Sequence, residues 1–381
     1  MARATGSPAG ASSLPPPPSP GAKPAGGRGW RIATLILALL LLLTWLANIG
    51  SSLASHLFEV GRGAAGAESR LQEVTLEHHR SSHKIAVIPV EGIISSASAD
   101  GSGYNLVRLI EDQLKLAAKD AEVRAVLLKV NSPGGEVLAS DDIYNAIVQF
   151  QNETKKPVVA SMGALAASGG YYVSAPCRWI VANELTITGS IGVIMHGYNY
   201  RGLMNKVGLR PMVYKSGRFK DMLSGERDLE KLTAQEKTDL DEEDAMLQRM
   251  IQETYSKFRT VVGDGRAAAN DRNQANQDGA TGRKLSERWT DFADGRVLSG
   301  KEAFNQGLVD EVGNWRAAVK RAQRLAGIDG AELITYQVPF NLANLLGLFG
   351  QSNARTLKVD LGFDVPRLTA GLYYLAPSFL R

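Results

Sequence analysis

The sequence predicts an α/β protein built on a parallel sheet, and three observations indicate this class. Apolar, β-branched runs alternate with segments of helical spacing between residues 84 and 181. The apolar run 126–130 ends at Asn131-Ser132-Pro133-Gly134-Gly135 and is followed by apolar residues at helical spacing. The short strand 157–160 leads through small residues to Ser168-Gly169-Gly170 and a further helix. Two such units on adjacent parallel strands would place both glycine pairs at one edge of the sheet.

The first 31 residues cannot bury a core, because they hold seven of the chain's fifteen prolines and almost no large apolar side chain. Residues 32–49 carry no charge, and tryptophans lie near both ends of this apolar stretch. We therefore predict a disordered cytoplasmic tail at 1–29 and one transmembrane helix at 30–50. The four basic residues among the first 31, with no acidic residue beside them, predict a cytoplasmic N-terminus, with all that follows on the outer side of the membrane. A cleaved signal peptide, cut near Ser52-Leu53-Ala54, is the alternative.

Charge and cysteine content exclude several classes of function. Without the four basic residues of the first 31, the chain has 39 basic and 39 acidic side chains, so nothing favours nucleic acid as a partner. The one cysteine, Cys177, excludes a disulfide framework and a multi-cysteine zinc site, and we expect it to be a buried thiol. His78, His79 and His83 lie in a predicted linker that offers no second shell of ligands, so no metal site is predicted.

Four further regions follow the anchor. Residues 51–83 are predicted to be a linker or stalk, 84–327 the folded domain, and 328–381 a C-terminal extension that contacts another subunit or the membrane surface. Within the domain, about 263–284 is rich in Asn, Gln, Ala, Gly and Asp and is predicted to be a flexible insertion. The predicted strands lie at 84–94, 123–130, 157–160, 179–181, within 185–194 and at 211–214, and the predicted helices at 104–118, from 137, from 168, and at 200–206, 229–262 and 315–325.

The glycine pairs favour chemistry at a carbonyl group. Glycine lets the backbone approach a ligand closely, and the first amides of a helix have no intrahelical acceptor, so such turns bind developing negative charge. Ser168, which stands between the two turns, is thus a candidate nucleophile. Taken alone, either stretch is also explained by an ordinary turn or a helix cap.

The base for such a serine is not a histidine. Four of the five histidines precede the domain, His196 has no other triad signal beside it, and Ala-Ala-Ser-Gly-Gly departs from the G-x-S-x-G elbow. A lysine can replace histidine if burial lowers its pKa from about 10.4 to about 7–8. Four lysines lie in the right part of the domain, and spacing alone does not choose between the two that bracket a glycine turn. The four are Lys129, Lys206, Lys215 and Lys220, of which the last two bracket the turn.

Five motifs in order between residues 85 and 325 resemble short-form signal peptide peptidase A, a family of membrane-anchored serine proteases with the Clp protease/crotonase fold. The motifs are VNSPGG, ALAASGGYYVS, ITGSIGVI, KSGRFKD and GRVLSGKEAFNQGLVDEVG. Carried over by motif, the resemblance implies Ser168 as nucleophile and Lys220 as general base. It also implies that the Ser190 hydroxyl orients the lysine amine. The Gly135 and Gly169 amides form the implied oxyanion hole.

The resemblance implies a serine endopeptidase of the bacterial inner membrane, with a periplasmic or extracytoplasmic catalytic domain that degrades cleaved signal peptides and other membrane-associated peptides. It implies no metal or cofactor, and assembly into a homo-oligomeric ring or dome. Two alternatives remain open from the residues. One is an acyl-CoA hydratase or isomerase of the same fold, and the other is a non-catalytic membrane scaffold. The proline-rich tail and the segment after Val262 depart from the family pattern.

Overall fold

A central sheet with helices packed on its faces organises the chain in the computed structural model, which describes residues 37, 39, 41, 42, 44, 71–97, 104–276, 279–339 and 372–375. The predicted mixed α/β class is therefore confirmed. In chain order the elements are β1 (Gln72–Glu77), β2 (Lys84–Ile94), α1 (Leu106–Lys119), β3 (Val123–Glu136), α2 (Val137–Thr154), β4 (Val158–Ala167), α3 (Gly169–Ser174), β5 (Trp179–Ala182), β6 (Ile187–Gly189), β7 (Ile194–Met195), α4 (Arg201–Lys206), α5 (Ala234–Asn273), a 3₁₀ turn (Trp289–Phe292), β8 (Val297–Ser299), α6 (Gly300–Asn305), β9 (Glu311–Val312), α7 (Trp315–Ala326), β10 (Glu332–Gln337) and β11 (Leu372–Leu375).

The main path of the sheet runs β1-β10-β2-β3-β4-β5-β9, and it is parallel from β10 to β9. The first strand joins β10 in antiparallel fashion, while β6 and β8 extend the end of β4. Parallel strands buried on both faces read as continuous apolar runs. The run at the centre of β3, residues 125–128, is fully buried and supplies its side chains alternately to the two faces.

Two apolar layers hold the helices to the sheet. The larger layer packs α1, α2, α3 and part of α5 against one face, while the smaller layer packs α7 against the other. Helix boundaries follow capping chemistry: Asn105 accepts from the amide of Arg108 at the start of α1. Thr233 and Glu236 form a capping box at the start of α5.

The predicted flexible insertion is wrong for its first half, because α5 continues to Asn273. Its buried face beyond Val262 is built from Gly265, Arg266 and Ala269, which are small or polar and so hide the helical period. The predicted strand at 211–214 is irregular backbone.

The stalk and the C-terminal extension also take part in the sheet, contrary to the predicted boundaries, because β1 lies in the former and β10 and β11 in the latter. Most of the predicted tail and membrane span, 1–29 and 30–50, lies outside the described residues. Of that span, residues 37, 39, 41, 42 and 44 are helical. No helix in the described part of the chain is long and apolar enough to cross a membrane.

Candidate active site

Ser168 occupies a strained turn between a strand and a helix. It follows β4 and precedes α3 with φ 55° and ψ −118°, a backbone conformation that L-residues rarely adopt. Such a conformation costs about 1–3 kcal/mol and persists only where the surroundings enforce it. Here the Ser168 amide donates to the Gly189 carbonyl at 2.8 Å, and the Ser168 carbonyl accepts from Tyr172 at 2.9 Å. The residue is 1% exposed, and no described residue forms a hydrogen bond with its hydroxyl.

The two glycine pairs, Gly134-Gly135 and Gly169-Gly170, meet at this point. A Cβ on Gly169 would lie 3.0 Å from Gly134 Cα and 3.1 Å from Gly135 N, and one on Gly135 would lie 1.9 Å from the Ile94 carbonyl oxygen. The backbones are therefore in contact, and only glycine fits at either place. The SPGG segment is not the predicted tight turn. It continues β3 in extended form up to Glu136, and α2 begins immediately afterwards.

Ser190 stands beside Ser168 because their strands are paired. Ala167, the last residue of β4, is in register with Gly189, the last residue of β6. Each serine directly follows its strand, so the two serines are neighbours. Ser190 also has positive φ, 49°, and is 4% exposed, while its amide donates to the Arg296 carbonyl at 2.7 Å. Two adjacent L-residues held in strained conformations are typical of a functional site.

The four candidate lysines are not equivalent. Lys215 Nζ lies 2.7 Å from Asp221 Oδ1, and Lys129 Nζ lies 2.9 Å from Glu91 Oε1, so both ammonium groups are paired. Lys206 is exposed at the end of α4. Lys220 lies in an exposed turn. Its amine forms no hydrogen bond with Ser168 or with any other residue that the structure describes. The structure thus gathers Ser168, Ser190 and the two glycines, but not the lysine.

The segment that carries Lys220, residues 196–233, is rich in exposed apolar side chains. It leaves the sheet after β7 and is tied to α5 by the bonds of Arg227 to Glu243, 2.8 and 3.0 Å, and by Arg218 to Asp239, 3.2 Å. We call it the exposed arm. Its exposed large apolar residues are Tyr198, Tyr200, Leu203, Val207, Leu209, Met212, Val213, Tyr214, Leu223 and Leu229. A surface of this composition is typical of an interaction site.

A buried ion pair that the sequence did not reveal holds the other end of α3. Arg266 on α5 is fully buried, donates to the Cys177 carbonyl at 2.9 Å and pairs with the Asp310 carboxylate. Asp310 in turn accepts from the Ile180 amide at 2.8 Å. The pair locks the carbonyl end of the short helix whose first residue follows Ser168. The available signal in the sequence was the helical spacing of Val262 and Arg266. It was not used, because the helix was predicted to stop at 262.

The surroundings of Glu136 and of Cys177 shift the pKa values of these two side chains. Glu136, at the end of β3, accepts from the Ser95 hydroxyl at 2.7 Å and from the Ser96 amide at 2.9 Å. Burial would raise the pKa of the Glu136 carboxyl, but the bonds from Ser96 and Ser95 outweigh burial and hold that pKa below its usual value. Cys177 is buried as predicted, and burial raises the pKa of its thiol to about 12.

Sequence comparisons identify the class of protein. A family model described as Peptidase family S49 matches residues 150–329, and one described as Clp protease matches 97–181. A protein of Synechocystis sp. named as a protease is 37% identical over 73% of this chain and 88% of its own. One of Methanocaldococcus jannaschii, also named as a protease, is 38% identical over 68% and 71%. One of Enterococcus faecium named signal peptide peptidase SppA is 34% identical over 78% and 84%.

These matches, together with the sheet and its strained serine turn, define the chain as a serine peptidase. It belongs to peptidase family S49. The resemblance stated from the motifs is thereby confirmed, and the hydratase and scaffold alternatives lose their support.

Proposed function

We propose that this peptidase is a membrane-anchored endopeptidase that cuts peptide bonds with a dyad of Ser168 and Lys220. The observation that carries the proposal is the strained conformation of Ser168, which the sheet maintains at a cost of about 1–3 kcal/mol beside two crowded glycine pairs. An ordinary turn or helix cap needs no such strain.

Each step of the proposed reaction uses one of these groups. The neutral Lys220 amine takes the Ser168 proton while Oγ bonds to the carbonyl carbon of the substrate. The Gly135 and Gly169 amides donate to the resulting oxyanion. The lysine then protonates the leaving amine, which leaves an acyl-serine that water hydrolyses with the same lysine as base. Ser190, fixed beside Ser168 by strand register, orients the lysine amine.

The dyad requires the exposed arm to be covered. A solvated ammonium cannot act as a base at neutral pH, whereas burial favours the neutral amine. Packing of a second copy on the apolar arm would remove Lys220 from water and bring an amine to Ser168, which is why we propose a homo-oligomer. The amine can belong to the same chain or to a neighbouring copy.

The substrates we propose are cleaved signal peptides and other membrane-associated peptides. The Enterococcus faecium relative is named a signal peptide peptidase, and the uncharged stretch 32–49 would keep this chain at the bacterial inner membrane with its peptidase domain outside the cytoplasm. An extended apolar peptide can bind such a site as an added strand. The proposed chemistry uses no metal or cofactor.

The test is proteolysis by the full chain in detergent, with casein and a synthetic signal peptide as substrates. Ser168→Ala and Lys220→Ala are each expected to abolish cleavage, while circular dichroism and the melting temperature stay near those of the wild type. Lys215→Ala is the matched control, because Lys215 already pairs with Asp221, and it should keep activity within about threefold. Undiminished cleavage by Lys220→Ala would refute the dyad.

Mixed assemblies decide which chain supplies the amine. If Lys220 acts across an interface, co-assembly of equal amounts of Ser168→Ala and Lys220→Ala chains restores about a quarter of wild-type activity, since that fraction of random interfaces pairs both intact groups. If the dyad lies within one chain, the mixture stays inactive.

A further inference from the structure

A pocket of about 680 Å³ opens at the carboxyl edge of the sheet, on the face that carries α7. Its lining includes Lys129 and Ser161, which share the sheet face of Leu127 and Val159, two residues that pack against α7. The helix that follows Ser168, α3, packs on the opposite face. The proposed catalytic reaction therefore leaves this pocket without a role.

Three asparagines, Asn131, Asn183 and Asn314, line the pocket, which we call the asparagine pocket. In each of them the side-chain oxygen Oδ1 accepts a hydrogen bond from a backbone amide: that of Leu165 to Asn131 at 3.2 Å, that of Leu185 to Asn183 at 2.9 Å, and that of Ala317 to Asn314 at 3.2 Å. These bonds fix the orientation of the three side chains, so each Nδ2 group is a donor. None of the three Nδ2 groups donates to a residue that the structure describes. The pocket thus offers three donors to a ligand.

A buried hydroxyl adds a fourth polar group. Ser161 lines the pocket, is 6% exposed, and its hydroxyl forms no hydrogen bond within the described ranges of the chain. Buried polar groups in proteins are nearly always hydrogen-bonded, so an unpartnered one calls for an explanation. A ligand that accepts from, or donates to, this hydroxyl supplies one.

The remaining lining is apolar and without net charge. Leu185 is 80% exposed and Ile187 49%, while Trp315 is half-buried at the start of α7. The charged lining residues are Lys129 and Glu91, and they neutralise each other because Lys129 Nζ lies 2.9 Å from Glu91 Oε1. The pocket therefore suits an uncharged ligand with apolar groups and several hydrogen-bond acceptors.

The asparagines are spread across the ends of four neighbouring strands. Asn131 and Asn183 come one residue beyond a row of residues in register, and Asn314 comes two beyond it. That row is Val130 on β3, Met162 on β4, Ala182 on β5 and Val312 on β9. Three steps between adjacent strands cover about 14 Å, which is the length of about four residues of extended peptide.

We propose that the asparagine pocket is a second peptide-binding site of this protein, which holds an uncharged, extended apolar peptide by its main-chain carbonyls. Each carbonyl of a peptide is an acceptor, so carboxamide donors hold the main chain whatever its side chains, while Leu185, Ile187 and Trp315 contact apolar ones. Binding here uses neither Ser168 nor Lys220, so the inference is independent of the proposed dyad.

Aspartate substitutions test the donors without removing the bonds that they make in the fold. Asn131→Asp and Asn183→Asp keep the oxygen that accepts the backbone amide but replace each donor by a second acceptor. The probe is an amidated peptide of about eight alanine, leucine and valine residues with an N-terminal fluorescein, and its Kd is measured by anisotropy. The protein is the full chain in detergent with Ser168→Ala, which prevents cleavage.

Each aspartate substitution is expected to raise Kd about tenfold, and the two together about 100-fold. Ser161→Ala should raise it about three- to tenfold with an unchanged melting temperature, because that hydroxyl makes no bond in the fold. Asn152→Asp is the matched control, since Asn152 is exposed on α2, on the opposite face, and also accepts through Oδ1, from Arg272 at 2.9 Å. Its Kd should stay within about twofold.

Photocrosslinking locates the bound peptide. With benzoylphenylalanine at its centre, the peptide is expected to label residues 185–187 or Trp315, as mapped by mass spectrometry. No binding, labelling only beside Gly135, or an equal Kd in the parent and in Asn131→Asp/Asn183→Asp overturns the proposal. Aspartate substitutions that change the oligomeric state and leave Kd unchanged also overturn it, because the pocket is then a contact between copies of the chain.

Discussion

Gly169→Ala tests the contact between Gly169 and the backbone of Gly134 and Gly135. The added Cβ would lie 2.7 Å from Ser140 Oγ, 3.0 Å from Gly134 Cα and 3.1 Å from Gly135 N, where ordinary contact begins at 3.4 Å. The serine hydroxyl can rotate away, at the cost of its bond to the Glu136 carbonyl at 2.8 Å. The two backbone atoms can only move together, and that shift carries the Gly135 amide away from the position at which it is proposed to stabilise the oxyanion.

The size of the effect follows from these distances. Relieving the backbone contacts requires shifts of about 0.3–0.4 Å at one of two proposed donors. Loss of a whole donor costs about 10²–10³ in rate, so we expect kcat/KM to fall about 10- to 100-fold. That is about 1.4–2.7 kcal/mol of transition-state stabilisation. Overpacking of about 1–3 kcal/mol lowers the melting temperature by about 2–4 °C per kcal/mol, so the domain remains folded.

The assay is peptide hydrolysis together with labelling of the serine by a fluorophosphonate probe. Gly263→Ala is the control, because its nearest atom would be Trp289 at 3.8 Å and α5 tolerates alanine there, so activity should not change. Adding Ser140→Gly to Gly169→Ala removes the 2.7 Å contact but leaves both backbone contacts, so activity should stay low. If the double substitution recovers wild-type activity, or Gly169→Ala keeps more than half of it, the reasoning is wrong.

Three further predictions concern groups around the site. Arg266→Met should cost about 3–5 kcal/mol in urea unfolding, because it leaves the Asp310 charge buried without its cation, whereas Arg266→Met/Asp310→Asn should lose less, since it removes that charge and keeps a side-chain oxygen for the Ile180 amide. Because the folded-state pKa of Glu136 is lowered, the melting temperature of the wild type should exceed that of Glu136→Gln at pH values above about 4.5. This difference should disappear as the pH falls through the lowered pKa. Cys177 should resist iodoacetamide in the folded protein and react after unfolding, since burial raises the pKa of its thiol to about 12.

The elements with strong periodic signals were predicted well. The strand at Lys84–Ile94 and the helix from Val137 begin where the sequence places them, because most of their apolar residues are buried in the core. The two glycine pairs also lie together at one sheet edge, as expected for the carboxyl ends of adjacent parallel strands, although the SPGG segment is extended and not the predicted tight turn. Here the local pattern and the tertiary environment demand the same residues.

The misses depend on tertiary contacts that the local sequence pattern does not mark. The buried face of α5 beyond 262 is made of glycine, arginine and alanine, and its burial depends on the ion pair with Asp310, 44 residues away along the chain. β1 and β10 are joined to each other across more than 250 residues, and nothing local marks the partner. The choice between Lys215 and Lys220 was likewise open, because it depends on the ion pair that Lys215 makes with Asp221.

Ser168 and Ser190 are held rigidly by the sheet, whereas Lys220 lies on the exposed arm, and this difference allows assembly to control activity. Ser168 and Ser190 are held in strained conformations by the pairing of β4, β6 and β8, and the far end of α3 is locked by Arg266. The sheet of one chain is enough to maintain these conformations, so a single chain can fold with Ser168 already in its strained conformation. Lys220 lies on an arm whose apolar side chains face water. Under the proposed dyad, a newly made chain therefore stays inactive until another surface covers the arm and brings a Lys220 amine to Ser168.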